Sequence, residues 1–327
     1  MTARYEDDVR VWVPGDPKIV AIGGGHGLSN TLRALRPYTK NVTAIVTVAD
    51  DGGGSGMLRE ELGMLPPGDI RSCILALSNT EPTMEALLDY RFTAGSLKGQ
   101  SFGNLFLAAL NGMYGSFDEA VRRMGEVLNI TGRVLPVTTD NVQLHAEFEN
   151  GATVVGESRI FQAKKEHDCR ICRVWLTPWE PQPLPEALTA IREADLIVIG
   201  PGSLYTSIIP NFLVDGIAEA VAAAKAKKVY VLNVMTQDGE TEGYTALDHV
   251  NALLHHAPGV VDLCLANDAP ISPALEEAYR REGAERILPD TLLAAGYPVL
   301  CRPLATRGGS YARHDPEALG RALVSLL

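Results

Sequence analysis

Val20-Ala-Ile-Gly-Gly-Gly-His-Gly-Leu-Ser29 is typical of a buried β-strand that runs directly into a glycine-rich turn with a helix beyond it. Val46-Thr-Val-Ala-Asp-Asp-Gly-Gly-Gly-Ser-Gly56 repeats this arrangement about one βαβ unit later. Glycines in such a turn let the backbone approach a ligand closely, and the start of the following helix favours an anion such as a phosphate. Two such turns at one edge of a parallel sheet predict a site for a nucleotide or a phosphorylated metabolite.

The rest of the chain continues the alternation of apolar strands and helices, for example at Asp195–Gly200 and Lys228–Asn233. This pattern predicts an α/β fold, a doubly wound Rossmann-like parallel sheet with helices on both faces. A small antiparallel β excursion is expected at about residues 133–177, with a type I′ hairpin turn at Asn150-Gly151. Residues 1–17 are expected to form a tail, and residues 18–327 a single domain.

Composition narrows the class of protein. The 327 residues carry a formal net charge of −11, which argues against general nucleic-acid binding. No apolar run approaches the ~20 residues of a membrane helix, so we expect no membrane insertion. The N-terminus lacks the apolar segment of a signal peptide, and the five scattered cysteines fit reduced thiols. We therefore expect a cytoplasmic protein.

Polar or glycine-rich segments follow four of the predicted strands, and the ends of parallel strands meet at one edge of a sheet. Hydroxyls, amides and glycines in these segments suit phosphate or sugar oxygens. The candidate ligand-binding residues there are Gly23, Gly24, Gly25, Gly27, Asp50, Asp51, Gly52, Gly200, Gly202, Ser203, Tyr205, Thr206, Asn233, Thr236 and Gln237. Asp69 in Pro67-Gly-Asp-Ile-Arg71 is a further candidate, and a helix N-cap is its structural alternative.

Each of these motifs has a second interpretation. The first turn could be a tight strand–helix connection without a ligand, and Leu28 replaces the third small residue of the dinucleotide fingerprint. No Gly-Lys-Ser/Thr follows it, so it is not a P-loop. Asp50 could bind a ribose or Mg²⁺. Asp51 could be a turn residue or helix cap, with only Asp50 directed at the site.

Metal and cofactor signals are sparse. Cys169-Arg-Ile-Cys172 has the spacing of a metal or redox pair, but no second pair accompanies it, and alternating positions in a strand explain it more simply. Neither His-x-His nor His-Glu-x-x-His occurs, which argues against a tightly bound zinc. We expect no firmly bound cofactor. Mg²⁺ is the one ion for which the sequence offers a ligand, Asp50.

Five motifs together resemble the bacterial gluconeogenesis factor family (YvcK-type) of the CofD-like superfamily. They are Ile22-Gly-Gly-Gly-His-Gly-Leu-Ser29, Ala44–Gly56, Pro66-Pro-Gly-Asp-Ile-Arg71, Ile199-Gly-Pro-Gly-Ser-Leu-Tyr-Thr-Ser207 and Asn233–Thr245. The resemblance implies a cytoplasmic regulator that binds UDP-sugars, above all UDP-N-acetylglucosamine. It also implies a role in cell shape and wall synthesis during growth on gluconeogenic carbon sources. The family's UDP-sugar tyrosine and arginine would be Tyr279 and Arg313, suited to uracil stacking and diphosphate pairing.

The enzyme relatives in the superfamily are phospholactate transferases, which use a guanosine-diphosphate donor and Mg²⁺. The alternative function is therefore an Mg²⁺-dependent transferase with Asp50 as the catalytic metal ligand. His26 and Gly54 stand where the family commonly has threonine and serine, which argues against transferring that chemistry. An NAD-dependent oxidoreductase fits less well, because the third fingerprint glycine is missing. The expected partner is a UDP-sugar or another nucleotide-diphospho ligand, and self-association and regulatory protein partners are compatible with it.

Overall fold

The main sheet of the molecule is parallel throughout. The computed structural model describes residues 15–306 and 311–327, so most of the predicted tail lies outside the described residues. Seven strands follow the order β10-β9-β8-β7-β1-β2-β3. They are β1 (Ile19–Gly23), β2 (Val42–Val46), β3 (Arg133–Pro136), β7 (Leu196–Ile199), β8 (Lys227–Val231), β9 (Leu263–Asn267) and β10 (Val299–Arg302). All six neighbouring pairs are parallel, which confirms the predicted α/β class.

Helices flank this sheet. In chain order they are α1 (Gly25–Leu35), α2 (Gly53–Leu62), α3 (Gly68–Leu77), α4 (Pro82–Asp89), α5 (Phe102–Tyr114), α6 (Phe117–Val127), α7 (Glu157–His167), α8 (Pro185–Glu193), α9 (Ile209–Phe212), α10 (Ile217–Ala223), α11 (Ala246–His256), α12 (Pro273–Arg281), α13 (Asp290–Ala294) and α14 (Pro316–Val324). A π-helical turn, Leu204–Ile208, leads into α9. Every residue of β1 and β2 is buried, as expected for strands covered on both faces.

The direction of the strand order reverses beside β1. From β1 the chain builds outward through β2 to β3, whereas β7 returns to the other side of β1 and continues through β8 to β10. The carboxyl ends of β1 and β7 therefore border a crevice, which is where open α/β sheets bind their ligands. Two of the glycine-containing motifs of the sequence, the one after β1 and the one after β7, end at this crevice.

A second, antiparallel sheet has the order β5-β4-β6, with β4 (Gln143–Phe148), β5 (Thr153–Val155) and β6 (Ile171–Thr177). The predicted antiparallel excursion at residues 133–177 is wrong at its start, because residues 133–136 form β3, a parallel strand of the main sheet. Helix α7, which lies between β5 and β6, was not expected. The hairpin at Asn150-Gly151 is confirmed, but its type I′ turn is wrong, since that turn needs positive φ at both residues and only Gly151 has it.

Within the described ranges, no single helix is long and apolar enough to cross a membrane. Two short apolar helical segments, Leu204–Phe212 and Ile217–Ala223, reach the required length and composition only when they are taken together, across a bend of 79°.

Candidate functional site

A cavity of about 510 Å³ opens at the crevice between β1 and β7. The first turn of α1, the loops after β7 and β8, helix α12 and the segment before α14 all contribute to its wall. Its lining residues are His26, Gly27, Asn30, Phe161, Pro201, Gly202, Asn233, Val234, Met235, Thr236, Gln237, Asp238, Tyr279, Glu282, Ala284, Ala312, Arg313 and His314. The volume lies within the range of about 300–1,000 Å³ that is usual for small-molecule sites.

The glycine turn after β1 brings α1 against the loop that follows β7. A Cβ atom on Gly27 would lie 2.1 Å from the carbonyl oxygen of Pro201, so no larger residue fits there. A Cβ on Gly24 would lie 2.6 Å from a carboxylate oxygen of Asp69 and 2.9 Å from a methyl carbon of Thr47. Packing within the protein therefore explains two of the glycines that the sequence analysis attributed to a ligand.

Reciprocal hydrogen bonds join the loops after β7 and β8. The backbone N–H of Gly202 donates to the Asn233 side chain at 2.9 Å, and the Asn233 amide donates back to the Gly202 carbonyl at 2.8 Å. The Ser203 hydroxyl donates to the Gln237 side-chain oxygen at 2.7 Å. Because Gly202, Asn233 and Gln237 also line the cavity, these bonds fix one of its walls.

The buried carboxylate of Glu240 accepts hydrogen bonds from the backbone amides at the start of the π-helical turn. Its two oxygens accept the N–H groups of Leu204, Tyr205 and Thr206, each at 3.0 Å. An anion is stabilised at such a position, and here a side chain of the protein supplies it. Burial raises the pKa of Glu240 to about 7, against the effect of these hydrogen bonds. These three amides are thus already occupied, which the sequence analysis did not foresee.

Tyr205 lies beneath the site. Its side chain is buried, and its hydroxyl is hydrogen-bonded to the Tyr244 hydroxyl at 2.9 Å and to the Ile171 carbonyl at 3.3 Å. Both partners belong to the protein interior, and Tyr205 is absent from the cavity wall. Contact between Tyr205 and a ligand stays a prediction. Its hydroxyl is already hydrogen-bonded within the protein, so the side chain offers a ligand no free polar group.

Arg313 supplies the positive charge on the α1 side of the cavity. His26 lies in the first turn of α1, and desolvation of its ring, followed by the charge of Arg313, lowers its pKa, which favours the neutral imidazole. The guanidinium of Arg313 lies 5.0 Å from the ring centre of Tyr311. The Tyr279 hydroxyl accepts the backbone N–H of Ala312 at 3.2 Å and so holds the arginine segment against α12. This wall suits an anionic group beside an aromatic ring.

Negative charge collects on the β2 side of the crevice. Asp50 accepts the N–H of Gly52 at 2.9 Å, and burial raises its pKa. Asp69 accepts the N–H of Gly25, while burial and the neighbouring Asp50 charge raise its pKa to about 6. Glu157 joins this cluster from α7, and burial, followed by the Asp50 charge, raises its pKa to about 8. A cluster of carboxylates at this place resists full ionisation until a cation or protons compensate it.

The two alternative roles of Asp51 and Asp69 can now be compared with their contacts. Asp51 accepts the N–H of Ser158 at 2.8 Å, in the first turn of α7, so it acts as a cap for a helix far along the chain. Asp69 is not the N-cap of α3, as the sequence analysis suggested, because α3 starts at Gly68 and its N-cap is Pro67. Its carboxylate instead reaches the start of α1.

Across residues 15–306 and 311–327, no group of three or more histidine, cysteine or acidic side chains is arranged to hold a metal ion. Mg²⁺ at Asp50 stays a prediction. Asp50 and Asp69 still offer the hard oxygen donors that this ion takes, with water and phosphate oxygens able to complete its shell. Cys172 is exposed on β6 and Cys169 half-buried just before it, and both are free thiols.

Seven of the predicted site residues line the cavity, namely Gly27, Gly202, Asn233, Thr236, Gln237, Tyr279 and Arg313. The remaining candidates lie outside its wall: Gly23, Gly24, Gly25, Asp50, Asp51, Gly52, Asp69, Gly200, Ser203, Tyr205 and Thr206. Sequence reasoning missed Phe161, His314 and Asn30. His26 carried a signal, because it interrupts the glycine turn, whereas Phe161 carried none, because α7 was not expected.

Comparisons with known proteins agree with this architecture. The family described as 2-phospho-L-lactate transferase CofD matches residues 19–305. A protein of Thermoanaerobacterium thermosulfurigenes is 53% identical over 95% of this chain and 97% of its own. The protein named gluconeogenesis factor in Bacillus subtilis is 50% identical over 95% of this chain and 98% of its own.

A solved structure extends the likeness to three dimensions. The crystal structure of a UPF0052 family member from Bacillus halodurans superimposes with a TM-score of 0.90 at 45% identity. It covers 94% of this chain and 99% of the other. Family match, sequence identity and fold all lead to the same assignment, and this chain belongs to the CofD family, within the group of bacterial gluconeogenesis factors.

Proposed function

We propose that this protein binds a UDP-sugar, UDP-N-acetylglucosamine, in the cavity at the β1–β7 crevice. It would act in the cytoplasm as a regulator. Cell shape and cell-wall synthesis would depend on it during growth on gluconeogenic carbon sources. The observation that carries the binding proposal is that Tyr279 and Arg313 line this cavity together with the loops after β7 and β8. The cellular role rests on the resemblance and on the name of its relatives.

The chemistry of the wall supports a nucleotide diphosphate. Arg313 offers a planar guanidinium that can pair with two phosphate oxygens. His26 lies at the start of α1, where backbone N–H groups and the helix dipole favour an anion. Phe161 and Tyr279 supply aromatic faces for a base, and the side chains of Asn233 and Gln237 supply donors and acceptors for sugar hydroxyls.

A second candidate function is an Mg²⁺-dependent transfer of a phosphorus-containing group. The observation that favours it is the pair Asp50 and Asp69 beside the cavity, together with the CofD family match. In that reaction the carboxylates would hold Mg²⁺ against the diphosphate. The metal would supply charge stabilisation for the leaving phosphate. Asp50, fixed by its bond from the Gly52 N–H, would keep the ion in place.

Calorimetric titration separates the two candidates. UDP-N-acetylglucosamine, UDP-glucose, GDP and NAD are each titrated with and without Mg²⁺, and the ligand is then recovered and analysed. Tight binding of the intact UDP-sugar supports the regulator. Preference for GDP in the presence of Mg²⁺, or consumption of any ligand, would instead support the transferase.

Arg313→Ala tests where the ligand binds. Loss of a charge-assisted pair with the diphosphate is expected to weaken UDP-N-acetylglucosamine about 10- to 100-fold. Arg281→Ala is the matched control, because Arg281 is exposed on α12 and, among the described residues, pairs only with Glu277. Equal affinities of the two variants in the same titration would place the ligand elsewhere.

A further inference from the structure

An exposed aromatic side chain, Phe161, forms part of the wall of the candidate site. It lies in the second turn of α7 and is 46% exposed, although it lines the cavity. Helix α7 buries only Ile160, Ala163 and Lys164, so this helix adds little to the core. A large apolar ring that meets water at the wall of a cavity is available to an apolar part of a ligand.

Gly239, in the loop after β8, determines where this ring lies. A Cβ atom on Gly239 would lie 2.0 Å from Cδ2 and 2.5 Å from Cε2 of Phe161, so the ring rests directly on the glycine backbone. Gly239 also has a φ of +76°, which side chains rarely allow. Any side chain at this position would displace the ring. The glycine is therefore required by a residue of α7, far earlier in the chain.

Two ion pairs hold α7 against the same loop. The ammonium of the buried Lys164 lies 3.2 Å from a carboxylate oxygen of Glu242, and that of Lys165 lies 2.6 Å from Asp238. The Lys165 ammonium is also 4.5 Å from the centre of the Phe161 ring, within the range of a cation–π contact. The ring is thus held in place before a ligand arrives, which reduces the cost of ordering it on binding.

The surroundings of the ring favour one part of a UDP-sugar, the nucleobase. Val234, Met235 and Ala284 line the cavity with Phe161 and are apolar. A base presents a flat face with few exposed polar groups, whereas the sugar and the diphosphate would lose water from their oxygens against such a wall. The guanidinium of Arg313 suits the diphosphate instead.

The other aromatic residue of the cavity wall, Tyr279, is less available to a ligand. Tyr279 is half-buried, and its hydroxyl accepts the backbone N–H of Ala312. Phe161 therefore offers the larger exposed aromatic surface of the two.

We propose that Phe161 binds the base of the nucleotide and that Gly239 is the residue that positions it. This inference rests on the proposed function, because it assigns one part of the UDP-sugar to one part of the cavity. Phe161 contacts the ligand itself, whereas Gly239 acts only through the ring of Phe161.

Calorimetric titration with UDP-N-acetylglucosamine and with UDP tests this assignment. Phe161→Ala should weaken both ligands by the same factor, about 10- to 100-fold, because both carry the base. Gly239→Ala should cause a comparable loss, because its methyl group would displace the ring. Combined with Phe161→Ala, it should cause no further loss, since the ring through which it acts is then gone.

Gly243→Ala is the matched control for Gly239→Ala. Gly243 lies in the same loop with a φ of +69°, and a Cβ there meets nothing within 4 Å. The control therefore imposes the same kind of backbone strain without touching the ring, and it should bind both ligands as the native chain does. Far-UV circular dichroism checks that each variant folds.

The outcomes separate this inference from the proposed function. A native chain that binds neither UDP-N-acetylglucosamine nor UDP overturns both. Native affinity in the folded Phe161→Ala variant overturns this inference alone. So does a loss confined to UDP-N-acetylglucosamine, which would place the sugar against the ring. Equal losses in Gly239→Ala and Gly243→Ala would overturn the positioning role of Gly239, because backbone strain would then explain them.

Discussion

The two sides of the β1–β7 crevice differ in charge although they meet at the same turn. On one side, His26 and Arg313 line a cavity with Tyr279. On the other side, Asp50 and Asp69 have raised pKa values because their carboxylates are buried close together. The first arrangement suits an anion directly, whereas the second needs a cation or protons. One glycine motif can therefore border two regions of opposite charge.

The contrast also separates the two candidate functions. Binding of a sugar nucleotide needs the cationic wall alone, whereas metal-assisted transfer needs both sides, with the metal held by the carboxylates. Variants that disturb one side and leave the other intact therefore distinguish the functions.

Gly24→Val should disturb both sides and give the largest effect. Its Cβ would lie 2.6 Å from the Asp69 carboxylate and 3.3 Å from Cβ of Ser207, so either the turn or both neighbours must shift. We expect loss of UDP-N-acetylglucosamine binding and about 1–3 kcal/mol less stability to urea. Gly112→Ala is the control, because a Cβ there meets nothing within 4 Å. Native affinity in the folded Gly24→Val variant would contradict the position assigned to the ligand.

The acidic side predicts how stability depends on pH. The pKa of Asp69 is about 6 in the folded chain, above its ordinary value of 3.8, so folding takes up a proton. Its contribution to the free energy of unfolding is therefore largest below pH 4 and is lost as the pH rises through about 6. Glu240 and Glu157, with pKa values of about 7 and 8, extend this loss toward pH 8.

Asp69→Asn should remove the first part of that dependence and raise stability at pH 8 by about 1–3 kcal/mol. Urea unfolding at pH 5 and pH 8 measures both changes, and Glu317→Gln, at an exposed ion pair with Arg321, is the control. If stability increased from pH 5 to pH 8 in the native chain, the carboxylates would not be coupled as described. Stabilisation by Mg²⁺ at pH 8 that Asp69→Asn abolishes would favour the transferase.

The smallest effect is expected from Tyr279→Phe on the cationic side. This change keeps the aromatic face but removes the hydroxyl that accepts the Ala312 N–H at 3.2 Å. One lost hydrogen bond should weaken UDP-sugar binding about 2- to 10-fold through a less well-held Arg313. Calorimetry should also find that Tyr279→Phe combined with Arg313→Ala binds no worse than Arg313→Ala alone. Additive losses would mean that the tyrosine hydroxyl acts independently of Arg313.

The sheet could be predicted from the sequence because its strands carry a strong local signal. Continuous apolar runs ending in glycine, as at Val20–Gly23, indicate buried parallel strands without reference to the rest of the chain. Residues 133–136 were misassigned because Arg-Val-Leu-Pro is short, contains a charge and a proline, and joins the sheet only as its edge strand. Helix α7 was missed because Lys164, Lys165 and Glu166 weaken its apolar pattern.

The place of the site could also be predicted, but not the task of each residue. Strand ends and glycine turns indicated the crevice, and seven of the predicted residues line its cavity. The amides of the Gly200–Ser207 loop were expected to be free for a ligand. Three of them instead donate hydrogen bonds to Glu240, which lies 34 to 36 residues further along the chain. Local sequence cannot reveal that competition, because the carboxylate and the amides belong to different loops.

The sequence by itself determined the parallel α/β architecture, the crevice as the candidate site and the family, since these depend on local periodicity and on motifs that are read in order. Only the tertiary structure decided that Gly27 is required by Pro201, that Asp51 caps α7, and that cationic and acidic walls stand on opposite sides of one turn. The physical reason is that packing distance and burial arise between segments that are remote along the chain. A glycine or an aspartate has the same letter whether its neighbour is a ligand or the protein itself.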